Sequence, residues 1–308
     1  MSRALIQETL RAIRGSLGRF LAIMGIVALG CGFFAGLQMT GRDMRLSADE
    51  FYDAQGLYDI RAVSTLGFEQ ADIDRLAAIE GVEKVFPARS VDVMATMGST
   101  RVVTRVMELP STTTAASQKN DVTENDVKEG ASAFNQPVLT DGRWPEAANE
   151  VVISSDSKKH SDVPLGSVIE IPESTDGVHV KGGSYTVVGY VNSPNFPFSS
   201  NFGSTSLGNG TVEEFAYVSS DAFAADDPYT DVYLKVRGAS AQISGSDAYK
   251  NIVSSVEERV TDAVPSLAQA RVSDLREKAQ KSVDEARANY EKARLEATQK
   301  LGDARSQL

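Results

Sequence analysis

Residues that ordinarily carry catalysis or bind metal are scarce in this sequence. Its 308 residues include two histidines, His160 and His179, and one cysteine, Cys31. Zinc sites take three or four ligands mainly from Cys and His, and proton transfer near neutral pH falls mostly to His, so both chemistries lack material. A lone cysteine closes no intramolecular disulfide. The acidic pairs Glu213-Glu214 and Asp226-Asp227 are adjacent in the chain. Neighbours on a strand face opposite sides, so neither pair suits general acid/base work, and both read as solvated charge. There is no Gly-x-Ser-x-Gly elbow, no His-Glu-x-x-His helix, no Asp-rich calcium loop and no Gly-x-x-x-x-Gly-Lys-Ser/Thr phosphate loop. Asn209-Gly210-Thr211 fits a glycosylation acceptor, and we read it as a turn. No enzyme activity, cofactor or metal is expected.

What remains is the chemistry of contact. With 31 basic against 42 acidic side chains the net charge is −11, the wrong sign for a surface that neutralises phosphates, so no nucleic-acid partner is expected. The loop at 193–210 carries Phe196, Phe198 and Phe202 among polar residues. Such rings either meet a partner or cargo from a mobile loop, or fold back and hold the loop down. Trp144, beside Pro145, has the same two readings: packing anchor or partner contact.

Residues 20–39 (FLAIMGIVALGCGFFAGLQM) run without a charge. At ~1.5 Å per residue a helix of that length crosses the ~30 Å hydrocarbon core. The span is longer than the apolar core of a signal peptide and flows into Leu37-Gln38-Met39 without a convincing small-x-small cleavage site. Arg3, Arg11, Arg14 and Arg19 precede it against Glu8 alone, which places the N-terminus in the cytoplasm and the bulk of the chain outside. Gly25, Ala28, Gly32 and Gly36 lie on or near one face. They either let a second membrane helix approach closely or reflect the ordinary abundance of glycine in such spans. Leu5, Ile6, Leu10, Ile13 and Leu17 form an apolar stripe between the arginines, predicting a cytoplasmic amphipathic helix over 1–19.

Beyond the membrane the pattern is α+β. Residues 57–63 alternate as a strand, 68–80 carry helical spacing ending at Gly81, and 82–97 with 100–109 flank a Gly98-Ser99 turn as a hairpin. Residues 111–131 have no apolar period and read as a surface loop. Short strands at 150–154, 167–171, 185–191, 214–218 and 230–236 suggest a small β-subdomain, about 135–228, inserted in a core domain spanning 40–245. A helix at 246–263 then repeats the earlier strand–helix order, giving a split β-α-β sandwich with an antiparallel sheet and helices on one face. The arm, 246–308, carries Leu275, Ala279, Val283, Ala286, Tyr290, Ala293, Ala297 and Leu301 at steps of three or four among charged residues. This is an amphipathic coiled-coil seam, alanine-rich and in need of a packed partner. The seam runs to Leu308 with no cap, so that partner is expected to be another subunit or a returning helix further along a longer chain.

The order of these pieces resembles a known family. Residues 14–37 (RGSLGRFLAIMGIVALGCGFFAGL) look like the opening of FtsX-like permeases of ABC transporters. Tyr58-Asp59-Ile60-Arg61, Gly81-Val82-Glu83-Lys84-Val85, residues 141–150 (DGRWPEAANE) and the 193–210 loop ahead of Phe215-Ala216-Tyr217 resemble their MacB-like periplasmic core domain. The arm is similar to that of a coiled-coil-containing subgroup of large bacterial permeases. The resemblance implies a membrane subunit that couples ATP hydrolysis by a separate cytoplasmic ABC ATPase to movement outside the membrane. It departs from the family pattern in having one span where the family has at least four. The remaining permease helices, or a second permease copy, are therefore implied partners. The alternative is a single-pass receptor or adhesion scaffold oligomerised by its coiled coil.

Overall fold

The computed structural model describes residues 11, 13–110, 134–156, 163–174, 178–197 and 202–306, with side chains to residue 300. Residues 1–53 and 54–308 form two separate compact units. A long uncharged segment satisfies its backbone groups in lipid only as a helix, and helix α1, Leu17–Ala54, contains the whole expected span. It is long and apolar enough to cross a membrane. It does not stop at Met39. It runs on through Arg42, Asp43 and Arg45 for 38 residues. At 1.5 Å per residue that is about 57 Å, well beyond the hydrocarbon core. Of the predicted amphipathic helix, Leu5, Ile6 and Leu10 lie outside the described residues. Arg11 and residues 13–15 are helical, with a turn at Ser16 before α1.

The second unit contains two sheets. Strands β1 (Ile60–Phe68), β2 (Val82–Ala88) and β10 (Tyr229–Val236) form an antiparallel sheet in the order β1-β10-β2. Helix α2, Gln70–Ala77, joins β1 to β2; Glu69 caps it, and Asp72 accepts the Glu69 N–H at 3.0 Å. On the central strand β10, Val232, Leu234 and Val236 pack with Ile73 and Leu76 of α2 and with Val253, Val256 and Val260 of helix α3, Asp247–Ser306. Alternation sends Asp231 and Tyr233 to the other face, where both are also buried. Gly81 ends the α2 segment at φ +93°, and a Cβ there would sit 2.6 Å from Val256 Cγ2, so α3 lies too close for any side chain.

The second sheet corrects the sequence reading in two ways. The hairpin around Gly98-Ser99 is present, β3 (Ser90–Met97) pairing antiparallel with β4 (Thr100–Glu108), but its predicted first arm is divided: β2 stays in the first sheet, while β3 and β4 belong to the β-subdomain. Alternation in a sequence marks a strand but does not name its sheet. The subdomain also gains a strand the sequence did not show, β5 (Val138–Gly142), and closes on itself. Its order is β5-β8-β6-β9-β4-β3-β7, and β7 (Val168–Ile171) pairs back onto β8 (Gly183–Asn192). With β6 (Glu150–Ser154) and β9 (Glu214–Val218), six strands make a barrel and β5 lies against β8 outside it. Val93, Ala95, Val106, Val151, Ile153, Ile169, Val187 and Ala216 fill one core cluster. Phe215, Tyr217, Val152 and Val191 form a second, on the opposite faces of the same strands.

Helix α3 merges the predicted 246–263 helix with the coiled-coil arm in one element of 60 residues that continues through Pro265. Its first part packs on the sheet as far as Leu267, and residues 279–300 are exposed on every side. The predicted loop at 111–131 lies outside the described residues.

Candidate functional site

Residues 55–59 lead from α1 into β1, and the last of them is fixed on several sides. Asp59 donates its N–H to the Leu234 carbonyl at 2.9 Å. Its carboxylate accepts the Val236 N–H at 2.7 Å and the Tyr249 hydroxyl at 2.9 Å, and Lys235 Nζ stands 3.5 Å away. Tyr249 belongs to the first turn of α3, so one side chain ties the segment after α1 to both β10 and the long helix. Tyr58 stacks on Tyr233 with centroids 4.8 Å apart. The Tyr58-Asp59-Ile60-Arg61 segment is thus a structural seat in which each side chain has a partner.

The two sheets meet at Asp231, only 1% exposed. It accepts Arg61 Nε at 2.8 Å and Nη2 at 2.6 Å, Thr230 Oγ1 at 2.7 Å and Ser90 Oγ at 2.6 Å. Desolvating a carboxylate costs several kcal/mol, and this many donors are what make such burial tolerable. Burial opposes the Arg61 charge, yet Asp231 and Tyr233 together hold its pKa above the ordinary value. Arg89, between β2 and β3, donates to the Asp227 carbonyl at 3.1 Å and pairs with Glu108 at 3.2 Å. Its guanidinium lies 4.8 Å from the centre of the Tyr229 ring. Burial pushes the Glu108 carboxyl up and Arg89 only partly offsets it.

The arm is rooted by Arg271, 8% exposed. Its Nε donates to the Leu66 carbonyl at 3.1 Å, and Nη1 reaches Glu69 and, at 3.1 Å, Asp274. Lys278 adds contacts to Glu69 at 2.6 Å and Asp274 at 3.0 Å. These cations, Lys278 first and then Arg271, hold the Glu69 carboxyl below its usual range. Nothing in the sequence singled out Arg271, which looks like any other charge on the arm.

The predicted contact residues divide. Phe202 is buried and Phe196 is partly so; both rings pack on Phe215, at 5.1 and 4.7 Å between centroids. Trp144 packs against the same cluster. Phe198 lies outside the described residues. Phe215 is the hub that sequence reading missed, because all five residues of β9 are buried and no alternation distinguishes its faces. Beneath the loop, the buried Tyr217 hydroxyl meets Ser193 Oγ at 2.7 Å, and burial pushes its pKa up to about 12. The 141–150 motif is a staple: Glu150 accepts Arg143 Nη1 at 2.7 Å and the N–H groups of Glu146 at 2.8 Å and Ala147 at 3.2 Å. Hydrogen bonding from Arg143 first, then those amides, lowers the Glu150 carboxyl to about 2.

In α1, a Cβ placed on Gly25, Gly32 or Gly36 would meet nothing within 4 Å, so with Ala28 these positions form a smooth, open surface. On α3, the seam residues from Ala279 to Ala297 are all exposed, Val283 at 52% and Tyr290 at 65%, and Leu275 is half-buried beside the root. Leu301 lies in the helix beyond the described side chains. Of the histidines, His179 sits with Nδ1 2.8 Å from Asp227 Oδ1, and His160 is outside the described residues. Among the described residues, no cluster of three His, Cys, Asp or Glu side chains could hold a metal.

The profile of the MacB-like periplasmic core domain matches residues 20–264. Among solved structures, the chain is similar to the extracellular domain of the noncanonical ABC-type transporter YknZ from Gram-positive bacteria. The identity is 13% over 62% of this chain and 80% of that one, with a TM-score of 0.30. It is also similar to the periplasmic region of MacB from Actinobacillus actinomycetemcomitans, 12% identical over 63% of this chain and 73% of that one, TM-score 0.30. No curated protein matches the chain.

Proposed function

The chain belongs to the MacB-like periplasmic core domain family, and from that premise we propose that it is the first-membrane-helix and extracytoplasmic part of an ABC transporter permease subunit. Its N-terminus is cytoplasmic. It transmits conformational change driven by a separate cytoplasmic ABC ATPase to cargo or to a cell-envelope partner, and it performs no catalysis itself. The observation that supports a mechanical role is the Asp59–Tyr249 contact, which joins the segment following α1 directly to the helix that becomes the arm. Movement of α1 relayed through residues 55–59 would reach β10 and α3 through one buried carboxylate. The Gly25, Ala28, Gly32 and Gly36 surface is the face on which the remaining permease helices, or a second permease copy, would pack.

The test is purification of the native gene product from membranes. A nucleotide-binding ABC subunit should come with it, and Gly32→Leu should reduce that recovery by disturbing helix packing. Recovery of the protein without any such ATPase would overturn the transport reading and favour a single-pass scaffold. Protease added to intact cells or spheroplasts should cut within residues 54–308; complete protection would refute the orientation.

A further inference from the structure

The linker at 55–59 is held in two places, and the second hold is unlike the first. Beside the Asp59 seat, residues 134–136 meet the linker backbone to backbone just before the chain enters β5. Asn135 donates its N–H to the Gly56 carbonyl at 2.8 Å, and Gln136 donates its N–H to the Gln55 carbonyl at 2.9 Å. The buried Phe134 stacks on Phe86 of β2, with centroids 5.5 Å apart. Phe86 is the cross-strand partner of Tyr233, the ring that carries Tyr58. Both rings therefore pack on the same face of the first sheet, the face opposite α2 and α3.

This strap is closed at a cost. Asn135 is the one non-glycine residue with a left-handed backbone among the described residues, at φ +53°. Asparagine tolerates that conformation better than most residues, yet it is still less favourable than ordinary backbone. The same residue is 3% exposed, and its Oδ1 is buried without a hydrogen-bond donor among the described residues. A buried acceptor left unmade and a backbone held in a sparsely populated region both raise the energy of the closed arrangement. Both penalties are relieved when the strap lifts into water. The Asp59 seat has no such burden, because its carboxylate is served by the Val236 N–H, the Tyr249 hydroxyl and Lys235.

We propose that residues 134–136 are a releasable catch, which opens as a unit and frees Gln55 and Gly56 while the Asp59 seat stays closed. Closed, the catch binds the linker to β5, which starts two residues further on at Val138, and through β5 to β8. Open, the linker keeps its hold on β10 and α3 and lets go of the β-subdomain. This inference rests on the geometry of the second unit and does not depend on the transport reading.

Amide hydrogen exchange on the whole protein in detergent tests it. The Asn135 and Gln136 amides should share one opening, at least about tenfold slower than free-peptide exchange and about a hundredfold or more faster than the Asp59 and Val236 amides. Their exchange should change little with urea below the unfolding transition, because opening three residues exposes little surface. Phe134→Ala should speed exchange at 135 and 136 by about tenfold and leave 59 and 236 as in wild type. Strap amides that exchange at the Val236 rate, or with its urea dependence, open only with the whole fold, and that result would overturn the proposal. Exchange at the free-peptide rate would also overturn it, since no catch would then be closed. Equal loss of protection at Asp59 in Phe134→Ala would make the two holds one and refute their independence. Should Phe134→Ala fail to fold, the wild-type comparison decides by itself.

Discussion

Tyr249, in the first turn of the 60-residue helix, donates its hydroxyl hydrogen to Asp59, the last residue before β1, at 2.9 Å. The two are far apart in sequence, and the contact makes the beginning and the end of the extracytoplasmic unit one mechanical piece. Asp59 also accepts a β10 amide, so losing the carboxylate would remove the acceptor of a backbone donor as well as the Tyr249 hydroxyl bond to residue 59.

Tyr249→Phe removes one hydrogen bond and should cost about 1 kcal/mol in urea unfolding. Asp59→Ala leaves Lys235 and the Val236 amide without their acceptor and should cost about 3 kcal/mol, since removing one partner strands the others. Equal effects from both variants would contradict the central place given to Asp59.

Arg271→Ala should loosen the arm root, raising amide exchange in residues 267–278 and costing about 2 kcal/mol, because Leu66 and Glu69 lose a nearly buried donor. Arg271→Lys should recover less than half of this, because a single ammonium cannot serve the Leu66 carbonyl and two carboxylates through a planar fork. Full recovery by lysine would show that charge alone fixes the arm.

Acid should weaken the fold in a defined window. Arg143 holds the folded Glu150 carboxyl near 2, against an ordinary 4.5. Between those values the unfolded chain binds a proton that the folded chain does not. The stabilisation is complete above 4.5 and drains away as pH falls towards about 2; the lowered Glu69 carboxyl acts in the same direction. Thermal melts of wild type and Glu150→Gln should converge across that window. At the alkaline end, the folded Tyr217 phenol titrates near 12 against an ordinary 10, so its contribution is full below 10 and lost between the two. Tyr217→Phe should flatten that decline.

Phe202→Ala and Phe215→Ala should each destabilise by about 3 kcal/mol, as truncation of a packed ring does. Phe198→Ser should leave the melting temperature unchanged, so that an effect on partner recovery is read by itself. A Phe202→Ala protein with wild-type stability would return the loop aromatics to the contact reading.

How much of this was legible depended on whether a residue's role is local. Strands at 150–154 and 214–218 are legible to the residue because β-branched or aromatic runs between turn residues declare themselves. The span within α1 was equally plain. The sheet to which β3 and β4 belong was not, since it is settled by β4 pairing parallel to β9, more than a hundred residues away. Strand β5 was hidden by Asp141-Gly142, whose glycine, at φ +83°, allows the backbone to pass where a Cβ would lie 2.3 Å from the Val188 carbonyl. Phe196 and Phe202 were visible as a cluster in sequence, but their shared neighbour Phe215 lies on another strand. Arg271 had no sequence signature at all.

The return of β7 onto β8 has a bearing on life in a crowded envelope. An open sheet ends in rows of bare amides and carbonyls that recruit strands from neighbouring molecules. Closure spends those rows internally for six strands of the β-subdomain, so that part of the body can be pressed against other proteins without those strands offering a template for fibrous assembly.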